Sequence, residues 1–135
     1  MSKEHNVFVS HAWGYSDDAD SLRRLIDERP YFHCIYSDVG KYEPINSSDA
    51  DYIKRCLREK IQCAHVMIGM AGVYASHSEW MQWEMDTAIK YGIPLIGVIP
   101  WGAERVSTAV SGRAIEMVRW NTESIITALR KHSLA

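Results

Sequence analysis

The most constraining feature of this sequence is an alternation: short runs rich in Val, Ile, Tyr and Gly recur between longer stretches with helical spacing. The runs Val7–Ser10, His33–Ser37, Val66–Met70, Leu95–Ile99 and Met117–Trp120 are strand-sized and bounded by turn-forming residues. Continuous apolar strands need cover on both faces, and crossover helices around a parallel sheet supply it. The pattern predicts an α/β, flavodoxin-like three-layer sandwich, with a five-stranded parallel sheet in the order 2-1-3-4-5 and helices on both faces. It fills one domain over residues 1–135.

The intervening stretches carry the helices. Asp18–Glu28 places Leu22, Leu25 and Ile26 on one side, and Asp49–Cys63 spaces Ala50, Ile53, Leu57 and Ile61 for one face, with Ser48 as its cap. A third helix begins at Ser78, whose hydroxyl can accept from the free amides, and stops at Tyr91 before Gly92 and Pro94. Met81, Met85, Ala88 and Ile89 are expected to face the sheet, which puts Trp80 and Glu84, four residues apart, on a neighbouring face. A shorter helix is expected over Ser107–Glu116, and a last one from Asn121 or Thr122 carrying Ile125, Ile126 and Leu129.

Charge and cysteine usage narrow the function classes. With 15 Lys+Arg against 17 Asp+Glu the formal charge is -2, and the basic pairs Arg23-Arg24, Lys54-Arg55 and Arg130-Lys131 have acidic neighbours. A nucleic-acid footprint is not expected. The apolar runs are far shorter than the roughly 18 residues of a membrane span, and the opening Met-Ser-Lys-Glu-His-Asn lacks a signal-peptide layout, so the expected location is cytoplasmic and off the membrane. Cys34, Cys56 and Cys63 form no CxxC pair and the six histidines are dispersed, which fits reduced thiols and points to no metal site.

In this fold class ligands bind beyond the carboxyl ends of the strands. The loops after all five strands are singled out: the first opens with Ser10, His11, Ala12 and Trp13, the second follows Ser37 and contains Lys41, the third holds Tyr74 and Ser76, the fourth runs from Pro100 to Arg105, and the fifth starts at Asn121. Glu84 lies on the third helix near that rim. An isolated Glu on the outer face of a helix is more commonly solvated, and Trp13 and Trp101 read first as packing aromatics.

Over nearly its whole length the chain resembles TIR domains, and more closely the TIR-like proteins of bacterial Thoeris antiphage systems. The residues that carry the resemblance are Val7-Phe8-Val9-Ser10-His11-Ala12-Trp13, the run Tyr74 to Trp80 leading into Glu84, and Gly97-Val98-Ile99-Pro100-Trp101-Gly102. In NAD-cleaving TIR domains a Trp precedes the essential Glu by the same interval. The resemblance implies that Glu84 is catalytic and that Ser10, His11, Ala12, Trp13, Ser37, Lys41, Tyr74, Ser76 and Trp80 bind the substrate. That substrate is NAD+, cleaved at its nicotinamide–ribose bond, with no cofactor retained. A cyclic or conjugated ADP-ribose would then signal to a separate effector, with self-association and a phage-derived trigger on activation.

The first strand is followed by His11 and Ala12 where many TIR domains carry a basic residue, and Lys41 is the nearest substitute. The chain also lacks a glycine-rich phosphate fingerprint, so NAD+ is expected as a consumed substrate. The loop 40–48 is Gly-containing and polar, a candidate gate or contact to a neighbouring subunit. Two other readings share the fold: a non-enzymatic TIR-like interaction module, separated by whether nicotinamide is released, and a nucleoside deoxyribosyltransferase-like enzyme, separated by acceptance of free nucleosides. A phosphoacceptor receiver domain needs an acidic pair after strand one and an Asp ending strand three, where this chain has Ser10-His11 and Gly69-Met70.

Overall fold

The computed structural model describes residues 4–11, 16–29, 32–37, 50–103 and 105–135. The elements are β1 (Glu4–Ser10), α1 (Ser16–Asp27), β2 (His33–Ser37), α2 (Ala50–Gln62), β3 (Val66–Met70), a 3-10 turn (Val73–His77), α3 (Glu79–Lys90), β4 (Leu95–Val98), α4 (Thr108–Ser111), β5 (Glu116–Val118) and α5 (Thr122–His132). The strands pair in parallel in the order β2-β1-β3-β4-β5, as the alternation in the sequence predicts.

Period-two alternation divides the core into two layers. In β1, Val7 and Val9 enter one layer while Phe8 enters the other. The first layer lies under α1 and α5 and is mainly aliphatic, built from Leu22, Ile26, Val66, Ile68, Ile96, Ile125 and Leu129, with Met70 and Phe32 among them. The second lies under α2, α3 and α4, and combines Phe8, Leu57 and Ile61 with Met67, Met81 and Met85, against which Trp80, Trp83 and Met117 pack.

The floor of the second layer is low. Ser10, Gly69 and Gly97 are register neighbours across β1, β3 and β4. A Cβ on Gly69 would lie 3.2 Å from Met85 Sδ and 3.3 Å from Val110 Cγ1, and one on Gly97 would lie 2.2 Å from Met117 Sδ. The helices and side chains above therefore settle closer to the sheet than a larger side chain would allow.

At the opposite end of the strands the backbone is tied. Asn6 N–H donates to His65 Nδ1 at 2.9 Å, His65 N–H to Asn6 O at 2.8 Å, and Leu134 N–H to His65 O at 3.0 Å. His5 Nδ1 and Ser133 Oγ are 2.7 Å apart.

Some expectations are corrected. The fourth helix is only Thr108–Ser111 and not Ser107–Glu116, because Ile115 N–H is already committed to Leu95 O at 2.8 Å and draws the chain into the sheet. Ile89 is 49% exposed and does not face the sheet; Met81, Met85 and Ala88 fill that stripe without it. The cap expected at Ser48, like the loop 40–48, lies outside the described residues.

Candidate active site

The site is built where β1 ends and α3 begins. Ser78 caps α3 as its position predicts: Met81 N–H donates to Ser78 Oγ at 3.2 Å. The preceding turn is braced from the side, with Ser76 Oγ 2.8 Å from Ser107 Oγ, Gln82 Nε2 donating to Ser76 O at 3.2 Å, and Ser107 N–H donating to Ala71 O at 3.0 Å. The helix start is thus fixed to the loops that follow β3 and β4.

With Met81 and Met85 locked over the glycine floor, helical geometry turns Glu84 inward. It is buried, 3% exposed, and its Oε1 accepts a hydrogen bond of 2.8 Å from Ser10 Oγ. Ser10 is wholly buried and His11, the next residue, is buried too. A hydroxyl donated to a buried carboxylate stabilises its charged form. The pair sits between β1 and β3, the switch in strand order where ligands of this fold class bind.

The model for the TIR-like domain of Thoeris protein ThsB matches residues 8–105, a span from within β1 to the loop after β4 that contains Ser10, Glu84 and the glycine floor. The chain belongs to the Thoeris ThsB TIR-like family. This family belongs to antiphage defence. No curated protein matches the chain. Among solved structures, the 2-deoxyribosyltransferase of the psychrotolerant bacterium Bacillus psychrosaccharolyticus superposes with a TM-score of 0.64 at 11% identity, covering 89% of each chain. The CMP N-glycosidase BcmB of Clostridium botulinum superposes with a TM-score of 0.54 at 12% identity, covering 93% of this chain and 98% of its own. A 3-dehydroquinate dehydratase-like protein of Bifidobacterium longum does so with 0.52 at 14%, covering 98% and 95%. At such identities these likenesses describe the fold.

Within this ThsB-type domain the expected site residues separate into groups. Ser10 and Glu84 come together as buried groups at the rim, His11 is buried next to Ser10 in sequence, and Ser76 braces the start of α3. Ser37 closes β2, in register with Phe8, and Tyr74 lies in the 3-10 turn. Ala12, Trp13 and Lys41 lie outside the described residues. Trp80 is half-buried and meets Trp83 edge to face, ring centroids 6.0 Å apart at 75°. Lys54 Nζ stands 5.6 Å from each of these two indole centroids, and Arg58 Cζ 5.8 Å from that of Trp83. Trp80 is therefore part of the α2–α3 seam.

Trp101 does not pack as expected. It is 82% exposed, because Ala103 N–H closes a turn onto Pro100 O at 3.1 Å with Gly102 at φ +76°, and this turn holds the indole off the surface.

The sequence reading missed Ser107, Gly69 and the cations of α2. Glycines inside otherwise apolar strands signal a close approach of packed elements, and that signal was available for Gly69 and Gly97.

Proposed function

We propose that this domain cleaves the N-glycosidic bond between nicotinamide and ribose in NAD+, and that Glu84 is the catalytic carboxylate. The observation that carries the reading is the buried Glu84 carboxylate, held by Ser10 Oγ at 2.8 Å at the switch in strand order. As the C–N bond breaks, the bonding pair leaves with nicotinamide, whose ring nitrogen gives up its positive charge and needs no proton. The positive charge passes to the ribose, where a fixed anion in a water-poor site stabilises it most. One carboxylate suffices for this departure, unlike the pair of an O-glycosidase.

Two of the structural neighbours, a 2-deoxyribosyltransferase and a CMP N-glycosidase, are named for N-glycosidic chemistry, which supports the reaction class. The ADP-ribosyl cation is then captured by a positioned hydroxyl or ring nitrogen, giving a cyclic or conjugated ADP-ribose that signals to a separate effector. Self-association in response to a phage-derived trigger completes the reading, since an unregulated NAD+ consumer harms its own cell.

The test is to incubate the protein with NAD+ and, separately, with 2′-deoxynucleosides and a free base, with and without lysate of infected cells, and to identify products by mass spectrometry. Nicotinamide with a cyclic or conjugated ADP-ribose is the expected result. Exchange of bases between deoxynucleosides would move the assignment to deoxyribosyl transfer. Inertness towards both substrates under triggering conditions would assign the domain to protein interaction.

A further inference from the structure

The pairing of α2 with α3 leaves two cations without anions. Lys54 and Arg58 are half-buried, lie one turn apart on α2, and rest on Trp80 and Trp83. Neither forms an ion pair with a carboxylate among the described residues. Like charges at this spacing on a helix are mildly destabilising, so the arrangement works against α2 unless something negative is to be met there.

Their position says what that is. Helices of this fold run opposite to the strands, so the N-terminal turns of α2 and α3 both lie at the rim where Ser10 and Glu84 meet. Trp80 precedes Glu84 by one turn, which separates their Cβ atoms by about 6 Å, and Lys54 sits directly over Trp80. The indoles occupy one side of the Lys54 ammonium, whose three N–H donors are not all consumed by ring faces. No carboxylate among the described residues forms an ion pair with it.

We propose that Lys54, seconded by Arg58, is an anion-binding site for the diphosphate bridge of a dinucleotide whose ribose lies at Glu84. This rests on the NAD+ reading above and assigns a cation to phosphate recognition, where the first loop, His11 to Tyr15, has no Lys or Arg. The indoles hold the cations at the rim before substrate arrives, so little side-chain freedom is lost when the diphosphate binds.

Calorimetry with ADP-ribose and with inorganic pyrophosphate tests the site on the parent protein, on Lys54→Met, which keeps an apolar stem on the indoles, and on Arg55→Met, which removes an exposed charge from the same helix. Lys54→Met is expected to weaken both ligands by about tenfold to a hundredfold and to flatten the salt dependence, at an unchanged melting temperature. Arg55→Met should stay within about twofold, and Lys54→Arg should restore most of the loss.

Equal affinities for the parent and Lys54→Met, or equal losses in Lys54→Met and Arg55→Met, would overturn the proposal. Nicotinamide release from NAD+ by the same preparations keeps the two readings apart. Release together with Lys54-independent ADP-ribose binding rejects the anion site alone, whereas Lys54-dependent binding without release under triggering conditions rejects cleavage alone.

Discussion

The two layers of this molecule solve the same burial problem with different materials. Under α1 and α5 the sheet presents Val7, Val9, Val66, Ile68 and Ile96 to Leu22, Ile26, Ile125 and Leu129, branched side chains that interlock and hold no buried carboxylate among the described residues. Under α2, α3 and α4 it presents Phe8, Met67 and a row of small residues to Met81 and Met85, and there Glu84 and Ser10 are buried. Methionine fills irregular space and glycine leaves it, so this layer can take a carboxylate inward without opening a void. Both layers bury apolar surface, but only the second also buries a carboxylate among the described residues.

The strongest way to break this comparison is at Glu84. Glu84→Gln keeps the shape and an acceptor for Ser10 Oγ while removing the charge, so NAD+ cleavage should fall by about a hundredfold or more at a matched melting temperature. Nicotinamide release followed by chromatography measures it, and parental turnover in the variant would remove Glu84 from the chemistry.

Ile125→Ala tests the first layer. Ile125 is fully buried on the inner face of α5, and its truncation should cost about 2–5 kcal/mol of stability with turnover per folded molecule unchanged. Chemical denaturation paired with initial rates reads both. A loss of turnover matching that of Glu84→Gln, in protein shown to be folded, would mean the two layers are not separable.

Ser10→Ala should have an intermediate effect. Without the donated hydroxyl Glu84 Oε1 loses a hydrogen bond worth about 1.5–3 kcal/mol. Turnover of folded protein should fall by about tenfold, and a parental rate would show that Ser10 does not position the carboxylate.

The smallest effect sharpens the contrast through the thiols. Cys34 packs against the aliphatic layer, and burial above all, with Asp27 adding repulsion, pushes its thiol up to about 12, against a lowering hydrogen bond with Tyr36. Cys63, at the end of α2, is exposed. Alkylation at pH 8 followed by peptide mass spectrometry should modify Cys63 first and Cys34 last. Because the folded value is the raised one, this thiol's contribution to stability is complete below about pH 9, its ordinary value, and is lost as pH rises towards about 12.

Much of this was legible in the sequence because it rests on local rules. The strand runs, the Ser78 cap and the 2-1-3-4-5 order follow from period, capping chemistry and the geometry of crossovers. What was not legible depends on register. That Ser10 meets Glu84 follows from how far α3 sinks onto Gly69, a distance set by packing between segments remote in sequence. Trp101 was misjudged because aromatic content suggests a core position, while the turn closed at Gly102 faces the indole outward. Ile89 was misjudged because a stripe of three residues already sufficed.

The contact between Ser10 and Glu84 spans 74 residues of sequence, which gives the site a timetable. At bacterial rates of synthesis, about 5–20 residues per second, the hydroxyl precedes its carboxylate out of the ribosome by roughly 4–15 s. Glu84 cannot be seated until β3 has taken its place beside β1 and α3 has formed over it. A chain that ends before Glu84 therefore carries the opening strand without the carboxylate that Ser10 meets.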